Sequence, residues 1–252
     1  CWIAISRADR VILAGDHCQL PPTIKCIEAA RGGLGRTLLE KVVLHKPETV
    51  SLLKIQYRMH EDIMRFPSRW FYHDELEAAP EVKYRGILDF DTPASWIDTS
   101  ELDLQEKAVA EGTGRLNTGE AELLVRELKN YMERIGIRRI LEEHIDFGVI
   151  SPYRAQVHYL RHLLKKEPFF RPCRRLITVH TVDGFQGQER DVIMISLVRA
   201  NEKGQIGFLR DLRRMNVAIT RARMKLLILG EAVTLTRHPF YRELYEYIGG
   251  LR

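Results

Sequence analysis

The sequence predicts an α/β fold in which helices flank a mostly parallel sheet. Short apolar runs that end in a glycine or a polar residue recur along the chain, as expected of buried parallel strands that lead into loops. Segments with apolar residues at helical spacing lie between several of these runs. Strands that alternate with helices are typical of a parallel sheet covered on both faces.

Five segments predict the strands of this sheet. Residues 10–16 read Arg-Val-Ile-Leu-Ala-Gly-Asp, an apolar run whose glycine lets the chain leave the sheet sharply. Similar runs recur at residues 147–151, 176–180, 191–197 and 225–230. The acidic segment 73–118 lacks a sustained period, so we expect irregular surface structure there.

Three segments predict helices because their apolar residues fall on one face. Residues 119–135 carry Leu123, Leu124, Leu128 and Met132 on that face, and residues 154–166 carry Val157, Leu160, Leu163 and Leu164. Residues 209–224 predict a third helix, with an apolar face around Met215 and Ala218 and with four arginines emerging elsewhere. A break at residues 45–47 separates a short first piece from the rest.

Composition excludes a disordered chain and permits an anionic partner. The 252 residues are 45% hydrophobic and 29% charged, which is enough to bury a full core. Lys plus Arg is 39 and Asp plus Glu is 34, for a net charge of +5. Residues 74–111 hold 11 acidic and 3 basic residues, so the remainder of the chain carries +13 and is basic enough to meet phosphates.

Cysteine usage and hydropathy exclude several classes of protein. The four cysteines form no C-x-x-C pair and have no histidine at zinc-site spacing, so we expect no metal and reduced thiols in the cytoplasm. We expect no membrane segment, because no apolar run approaches the roughly 18 residues that a bilayer requires. The chain opens Cys-Trp-Ile-Ala-Ile-Ser, which predicts an internal piece of a longer polypeptide.

Two polar clusters lie at predicted strand ends or helix starts in the first quarter of the chain. Residues 15–22 read Gly-Asp-His-Cys-Gln-Leu-Pro-Pro, where Asp16 offers an acceptor and Gln19 an amide; a simple turn would explain the same pattern. Residues 56–60 read Gln-Tyr-Arg-Met-His, and Arg58 between large side chains favours a guanidinium aimed at a specific partner. The alternative is a surface ion pair with a neighbouring carboxylate.

Two further clusters lie in the second half of the chain. In residues 178–189, Gly184 and Gly187 allow close backbone approach to a ligand, and Glu189 can accept from a sugar hydroxyl or bind a cation. The alternative is an ordinary connection whose aspartate caps a helix. Residues 199–225 hold 8 basic and 2 acidic residues, which favours a phosphate partner over a merely basic helix.

In this order, the clusters resemble the motifs of superfamily 1 helicases, in the branch of the nonsense-mediated-decay helicase and the immunoglobulin mu-binding helicase. Residues 15–22 resemble motif III, 56–60 motif IV, 180–189 motif V and 216–223 motif VI. Residues 151–153, Ser-Pro-Tyr, match a further nucleic-acid-contacting loop. The resemblance implies a RecA-like P-loop NTPase fold, with residues 1–45 as the tail of a first domain and residues 46–252 as the second.

The resemblance also implies roles for individual residues. Gln19 would sense the terminal phosphate of ATP, Arg58 and Arg221 would act as arginine fingers, and Gly187 would lie against the phosphates. Glu189 would bind the ribose. The channel for single-stranded DNA or RNA would be lined mostly by side chains that contact phosphate and sugar, namely Pro21, Pro22, Thr23, Ser151, Tyr153, Thr178 and Thr181.

Two features of the helicase family are absent from this sequence. It contains no G-x-x-x-x-G-K-[ST] loop and no Asp-Glu-Ala motif to hold Mg²⁺. We therefore expect ATP with Mg²⁺ as the cofactor, with the metal ligands outside this chain in a missing N-terminal RecA-like domain. The expected activity is that of a monomeric ATP-dependent 5′-to-3′ helicase or translocase. The other hypothesis is a non-catalytic module that binds nucleic acid or docks a partner.

Overall fold

The chain forms two compact units, one ending at Leu52 and the other beginning at Leu53. The computed structural model describes residues 2–22, 24, 26–109 and 114–251. The first unit contains a π-helical turn, Ala30–Leu34, a 3₁₀ turn, Pro47–Thr49, and the helices α1 (Trp2–Ile5), α2 (Ile27–Ala29) and α3 (Leu38–His45). Helix α3 begins with a capping box, in which Thr37 accepts from the Glu40 backbone at 3.1 Å and Glu40 accepts from the Thr37 backbone at 2.5 Å.

The predicted strand at residues 10–16 is wrong. Residues 11–16 have no regular secondary structure, and Ile12 is 95% exposed. A strand needs a hydrogen-bonded neighbour, and the described residues of the first unit supply none.

The second unit is built on a five-stranded sheet in which every pair is parallel. The strand order is β3-β9-β8-β6-β7. The strands are β3 (Ala94–Asp98), β6 (Phe147–Ser151), β7 (Ile177–Thr181), β8 (Arg190–Ser196) and β9 (Ala222–Gly230). Two short pairs lie apart from this sheet, namely β1 (Ile55–Gln56) with β2 (Glu77–Ala78), and β4 (Lys107–Ala108) with β5 (Arg115–Leu116). The sheet confirms the predicted α/β class.

Helices cover both faces of the sheet. They are α4 (Glu61–Phe71), α5 (Pro80–Lys83), α6 (Thr118–Ile135), α7 (Ile137–Glu142), α8 (Arg154–Lys166), α9 (Val182–Phe185), α10 (Leu212–Ile219), α11 (Ala232–Leu235) and α12 (Pro239–Gly249). Alternate strand residues point to opposite faces, so Val149 and Met194 join the core under α6 and α8. On the other face, α4 packs on β9 while α10 packs on α4 and α9.

Two sequence predictions need correction in the second unit. The helix predicted over residues 209–224 ends at Ile219, and residues 222–224 belong to β9, where Ala222 pairs with Arg190 of β8. The segment 73–118, predicted to be irregular, contains the edge strand β3. An edge strand is half exposed and therefore carries polar residues that break the apolar pattern. The other four strands and the first two helices lie within one residue of their predicted bounds at each end, except that β9 begins three residues early.

Candidate functional site

Charged side chains from three separate segments form a row at the amino ends of β8 and β9. Arg58, in the loop before α4, donates from Nε to the Glu189 carboxylate and from Nη1 to the Thr220 carbonyl oxygen at 3.0 Å. Arg223, in β9, binds the other oxygen of Glu189 at 2.9 Å and the Asp191 carboxylate at 3.1 Å. Glu189 is therefore shared by two guanidinium groups, one from each side.

The contacts in this row favour the charged forms of Glu189 and Arg223. Burial acts to raise the pKa of Glu189, but the hydrogen bonds and charges of Arg58 and Arg223 outweigh it and hold that pKa below its usual value. Burial acts to lower the pKa of Arg223, and the carboxylates of Asp191 and Glu189 reverse this effect and raise it. The Glu189 side chain is still 36% exposed, so a ligand can reach it.

The same network continues along the amino ends of β6 and β7. Asp146, directly before β6, accepts from the Asp191 backbone at 2.7 Å, and Asp191 accepts from the Asp146 backbone at 3.1 Å. Arg190 lies 3.7 Å from the Asp146 carboxylate and donates to the Thr178 hydroxyl at 3.1 Å. Burial, with the neighbouring Asp191 charge, raises the pKa of Asp146. Polar contacts thus link one end of four adjacent strands.

Arg221 lies beside this row, at the junction between α10 and β9. It is 3% exposed, and it donates from Nε to the Val217 carbonyl and from Nη1 to the Gln188 carbonyl, each at 3.1 Å. Arg58 contacts Glu189 and Thr220, and Arg221 contacts their close neighbours Gln188 and Val217. The guanidinium groups of Arg58 and Arg221 therefore contact the same two segments, residues 188–189 and 217–220.

The loop that carries Arg58 is held by contacts that sequence reasoning missed. Oε1 of Gln56 accepts from the backbone of Arg58 at 2.8 Å and of Met59 at 2.7 Å, and its Nε2 donates to the Met59 carbonyl at 2.8 Å. Arg85 donates to the Arg58 carbonyl at 2.9 Å. The role of Gln56 could have been predicted, because this glutamine lies only two positions before Arg58 in the sequence. Nothing in the sequence relates Arg85 to this loop.

The two glycines of the 178–189 segment serve different needs. A Cβ at Gly184 would lie 1.9 Å from Nδ1 of His180, so this glycine makes room for an imidazole ring rather than for a ligand. Gly187 has a φ of 81°, and a Cβ there would meet no atom within 4 Å. Gly187 therefore lies in a left-handed turn with open space above it, one residue before the Arg221 contact at Gln188.

The predicted channel residues of the second unit occupy both ends of the sheet. Ser151 and Thr181 pair in register at the carboxyl ends of β6 and β7, whereas Thr178 lies near the amino end of β7 and accepts from Arg190. Thr181 caps α9 by accepting from the Gly184 backbone at 3.3 Å. Ser151 is fully buried and Tyr153 is 2% exposed.

Glu106 organises the carboxyl end of the sheet and was not predicted. Its Oε2 accepts from Arg199 at 2.7 Å, from the Ala200 backbone at 2.9 Å and from Asn201 at 3.1 Å. Arg199 in turn donates to the Tyr153 hydroxyl at 3.4 Å. Glu106 lies in the acidic segment 73–118, which has no sustained hydrophobic period. The sequence therefore did not predict where its side chain would lie.

A second buried carboxyl group lies nearby. Glu120, in the first turn of α6, is fully buried, and its Oε1 accepts from the Ser196 hydroxyl at 2.6 Å and the Val198 backbone at 2.9 Å. Burial raises the pKa of Glu120 to about 7, although these hydrogen bonds act to lower it. Within the described ranges, its Oε2 has no hydrogen-bond partner. The group is therefore partly protonated near neutral pH.

The first unit carries the remaining predicted residues. Gln19 donates to the Asp16 carboxylate at 2.8 Å, Pro21 is half-buried, Pro22 is exposed, and Thr23 lies outside the described residues. One ligand atom each of Asp16, His17 and Cys18 falls within 4.8 Å of the others. Burial, with the Asp16 charge, raises the pKa of the Cys18 thiol to about 11, so the metal-binding thiolate is disfavoured.

Comparison with known proteins identifies the class to which this fold and site belong. A family model described as an AAA domain matches residues 34–233, and a second model with the same description matches residues 1–26. The chain belongs to the superfamily 1 helicases, in the branch of the nonsense-mediated-decay helicase and the immunoglobulin mu-binding helicase. Across 98% of its length it is 36% identical to the DNA-binding protein SMUBP-2 of Rattus norvegicus and to an uncharacterized ATP-dependent helicase of Methanocaldococcus jannaschii. It is 35% identical to the Drosophila melanogaster homolog of regulator of nonsense transcripts 1 over 95% of its length.

These relatives are much longer than the chain. The matched region is 25% of SMUBP-2, 36% of the archaeal helicase and 20% of the fly protein. In the part of the chain that the structure describes, every helix is too short or too polar to serve as a membrane span.

Proposed function

We propose that this chain is the C-terminal part of an ATP-dependent helicase or translocase acting on DNA or RNA. In this proposal it supplies two arginine fingers to the ATP site and one part of the channel for a single strand. Residues 1–45 are the tail of the first RecA-like domain and residues 46–252 are the second. Membership of the helicase family supports the class of activity. The contacts of Arg58 and Arg221 with the same two backbone segments carry the residue assignment.

The residues around Gly187 fit a nucleotide. Open space above this glycine leaves room for phosphate oxygens, and two guanidinium groups lie on adjoining segments. Glu189 can accept from ribose hydroxyl groups. In this proposal Gln19 responds to the terminal phosphate, and the phosphate loop and the Mg²⁺ ligands come from polypeptide outside the 252 residues. Bound ATP with Mg²⁺ supplies the phosphoanhydride bond whose hydrolysis drives movement.

Arg58 and Arg221 act by stabilising negative charge. Arg58 is about one-third exposed, so it can exchange the Glu189 carboxylate for a phosphate oxygen. Arg221 is held more firmly by two carbonyl groups, which fixes the direction of its guanidinium. A guanidinium aimed at the charge that develops during phosphoryl transfer is worth about 10³ to 10⁵ in rate.

In this proposal the channel for a single strand is assigned by resemblance to the helicase motifs. Its residues are Pro21, Pro22, Thr23, Ser151, Tyr153, Thr178 and Thr181. Contacts of this kind track phosphates and sugars and do not distinguish DNA from RNA. We expect a monomer that works in the cytoplasm.

The experiment that tests this function is nucleic-acid-stimulated ATP hydrolysis by the longer protein that includes this chain. Arg58→Ala should lower the rate by about 10³-fold or more, because a finger arginine is lost. Arg65→Ala is the matched control, since Arg65 is an exposed arginine of α4 whose ion-pair partner among the described residues is Glu61. Equal rates for wild type and Arg58→Ala would refute the assigned role.

The isolated chain separates this proposal from the non-catalytic module. We expect it to bind single strands weakly, with affinity that falls as salt rises, and to hydrolyse no ATP. Hydrolysis by the isolated chain would contradict the dependence on an external phosphate loop. A longer protein that binds nucleic acid but never hydrolyses ATP would favour the non-catalytic module.

A further inference from the structure

The exposed aromatic ring of Phe208 covers Tyr153, one of the residues predicted to line the channel. Tyr153 is 2% exposed, and its hydroxyl accepts from Arg199 at 3.4 Å. The ring of Phe208 lies over it, with 5.6 Å between the ring centroids and an angle of 44° between the planes. Phe208 itself is 43% exposed. At this end of the sheet, therefore, Phe208 and not Tyr153 offers an aromatic surface to a ligand.

The turn that carries Phe208 is rigidly seated. Gly207 has a φ of 55°, and a Cβ there would lie 2.3 Å from Nη1 of Arg199, so the backbone rests directly on that buried side chain. On the other side of Phe208, Leu209 is 1% exposed, and its carbonyl accepts from the Tyr241 hydroxyl at 2.8 Å. The backbone of Phe208 is thus held between two anchored neighbours, which directs its ring outward.

One cationic group lies over this ring, and two exposed arginines lie close in sequence to Phe208 or to Tyr153. The Arg214 guanidinium lies 5.7 Å from the centroid of the Phe208 ring, and Asp211 binds the same guanidinium at 3.1 Å. Arg210 in the same turn and Arg154, next to Tyr153 in sequence, are both exposed. The combination of an exposed ring with exposed arginines complements a ligand that has a flat apolar part and a polyanionic part.

We propose that Phe208 is a stacking platform for one base of single-stranded DNA or RNA, with the phosphates on either side of that base meeting Arg210 and Arg154. This inference rests on the proposed function, because it assigns a base contact within the same channel. Stacking on an aromatic ring tolerates any base, since every base has a π face. The platform therefore adds affinity without sequence preference.

The test compares two strands that differ only in their bases. One is a fluorescein-labelled oligothymidylate of 12 nucleotides, and the other is an abasic strand with the same number of phosphates. Fluorescence anisotropy gives the dissociation constant of the 252-residue chain for each strand. Phe208→Ala should weaken binding to the oligothymidylate by about 5- to 100-fold and leave the abasic strand unchanged. Phe208→Tyr keeps a ring and should bind both strands as the wild type does.

Leu141→Ala is the matched control, because Leu141 is an apolar side chain of similar exposure, 42%, at the other end of the sheet. Unchanged oligothymidylate binding by Phe208→Ala, or equal loss on both strands, would overturn the stacking platform while leaving the proposed channel intact. A wild-type chain that binds neither strand would refute both the channel and the stacking platform.

Discussion

At the residue scale, the missing side chain of Gly184 leaves room for the His180 ring, because a Cβ there would lie 1.9 Å from Nδ1 of His180. The sequence predicts instead a glycine that lets a ligand approach. Pattern alone cannot separate these explanations, because both require the absence of a side chain. The approach of His180 depends on how β7 meets α9, which is tertiary information.

Gly184→Ala should destabilise the second unit by about 1 to 3 kcal/mol, because the added methyl group overlaps the imidazole. Gly249→Ala is the control, since a Cβ there would meet no atom within 4 Å. Urea unfolding measures both. His180→Ala should recover much of the loss in the Gly184→Ala background, and strictly additive effects would show that the two positions do not clash.

The buried carboxyl of Glu120 makes a prediction about pH. Its pKa is raised by burial to about 7 in the folded chain, above its value in the unfolded chain. Between these two pKa values the folded state holds a proton on Glu120 that the unfolded state has released. The contribution of this group to the unfolding free energy is therefore complete at pH 4 and is lost as pH rises through 7.

Glu120→Gln removes this titration. Relative to wild type, the variant should gain up to about 3 kcal/mol in unfolding free energy between pH 4.5 and pH 8. The measurement is urea unfolding across that range, with Glu101→Gln as the control because Glu101 is exposed. A difference between Glu120→Gln and wild type that does not vary with pH would show that Glu120 titrates normally.

At the scale of elements, the sequence located most of the sheet because four strands are apolar runs flanked by polar residues. The prediction was wrong for β3 and for the start of β9, where pairing with a neighbouring strand decides the structure. Residues 222–224 continue a helical pattern, yet Ala222 pairs with Arg190 of β8, and β9 begins there. Strand β3 carries Ser95 and Asp98, and only its pairing with β9 makes it a strand. Arg223 consequently lies in the sheet next to Glu189, whereas a helical extension would have carried it elsewhere.

Helix α6 depends on one buried cap. Asn117 is fully buried, accepts from the Glu120 backbone at 3.0 Å, and donates to the Leu104 carbonyl at 2.7 Å. Asn117→Ala should lower the unfolding free energy by about 1 to 3 kcal/mol, because both contacts are lost in a buried place. Asn130→Ala, on the exposed face of the same helix, should change it by less than about 0.5 kcal/mol. Equal losses in chemical denaturation would argue against the cap.

At the scale of the whole molecule, one sheet separates two sets of contacts. Arg58, Arg221 and Glu189 lie at the amino ends of the strands, and Phe208 lies over Tyr153 beyond the carboxyl end of β6. The ordered motifs predicted the arginines and the glutamate as site residues, whereas two contacts near the two sets were not predicted. Arg85 donates to the Arg58 carbonyl, and Glu106 binds Arg199 at the other end of the sheet. Both residues lie in the acidic segment, where charge without periodicity reveals no position.

We propose that Arg58 and Arg221 act on the same phosphate. This shared role is tested most directly by single-turnover ATP hydrolysis in the longer protein with Arg58→Lys, Arg221→Lys and the double variant, because lysine keeps the charge and loses the planar fork. If both groups serve one phosphate, the double variant should be faster than the product of the single effects predicts, with a coupling of about 1 kcal/mol or more. Single effects that simply multiply, or single variants as fast as wild type, would contradict the claim.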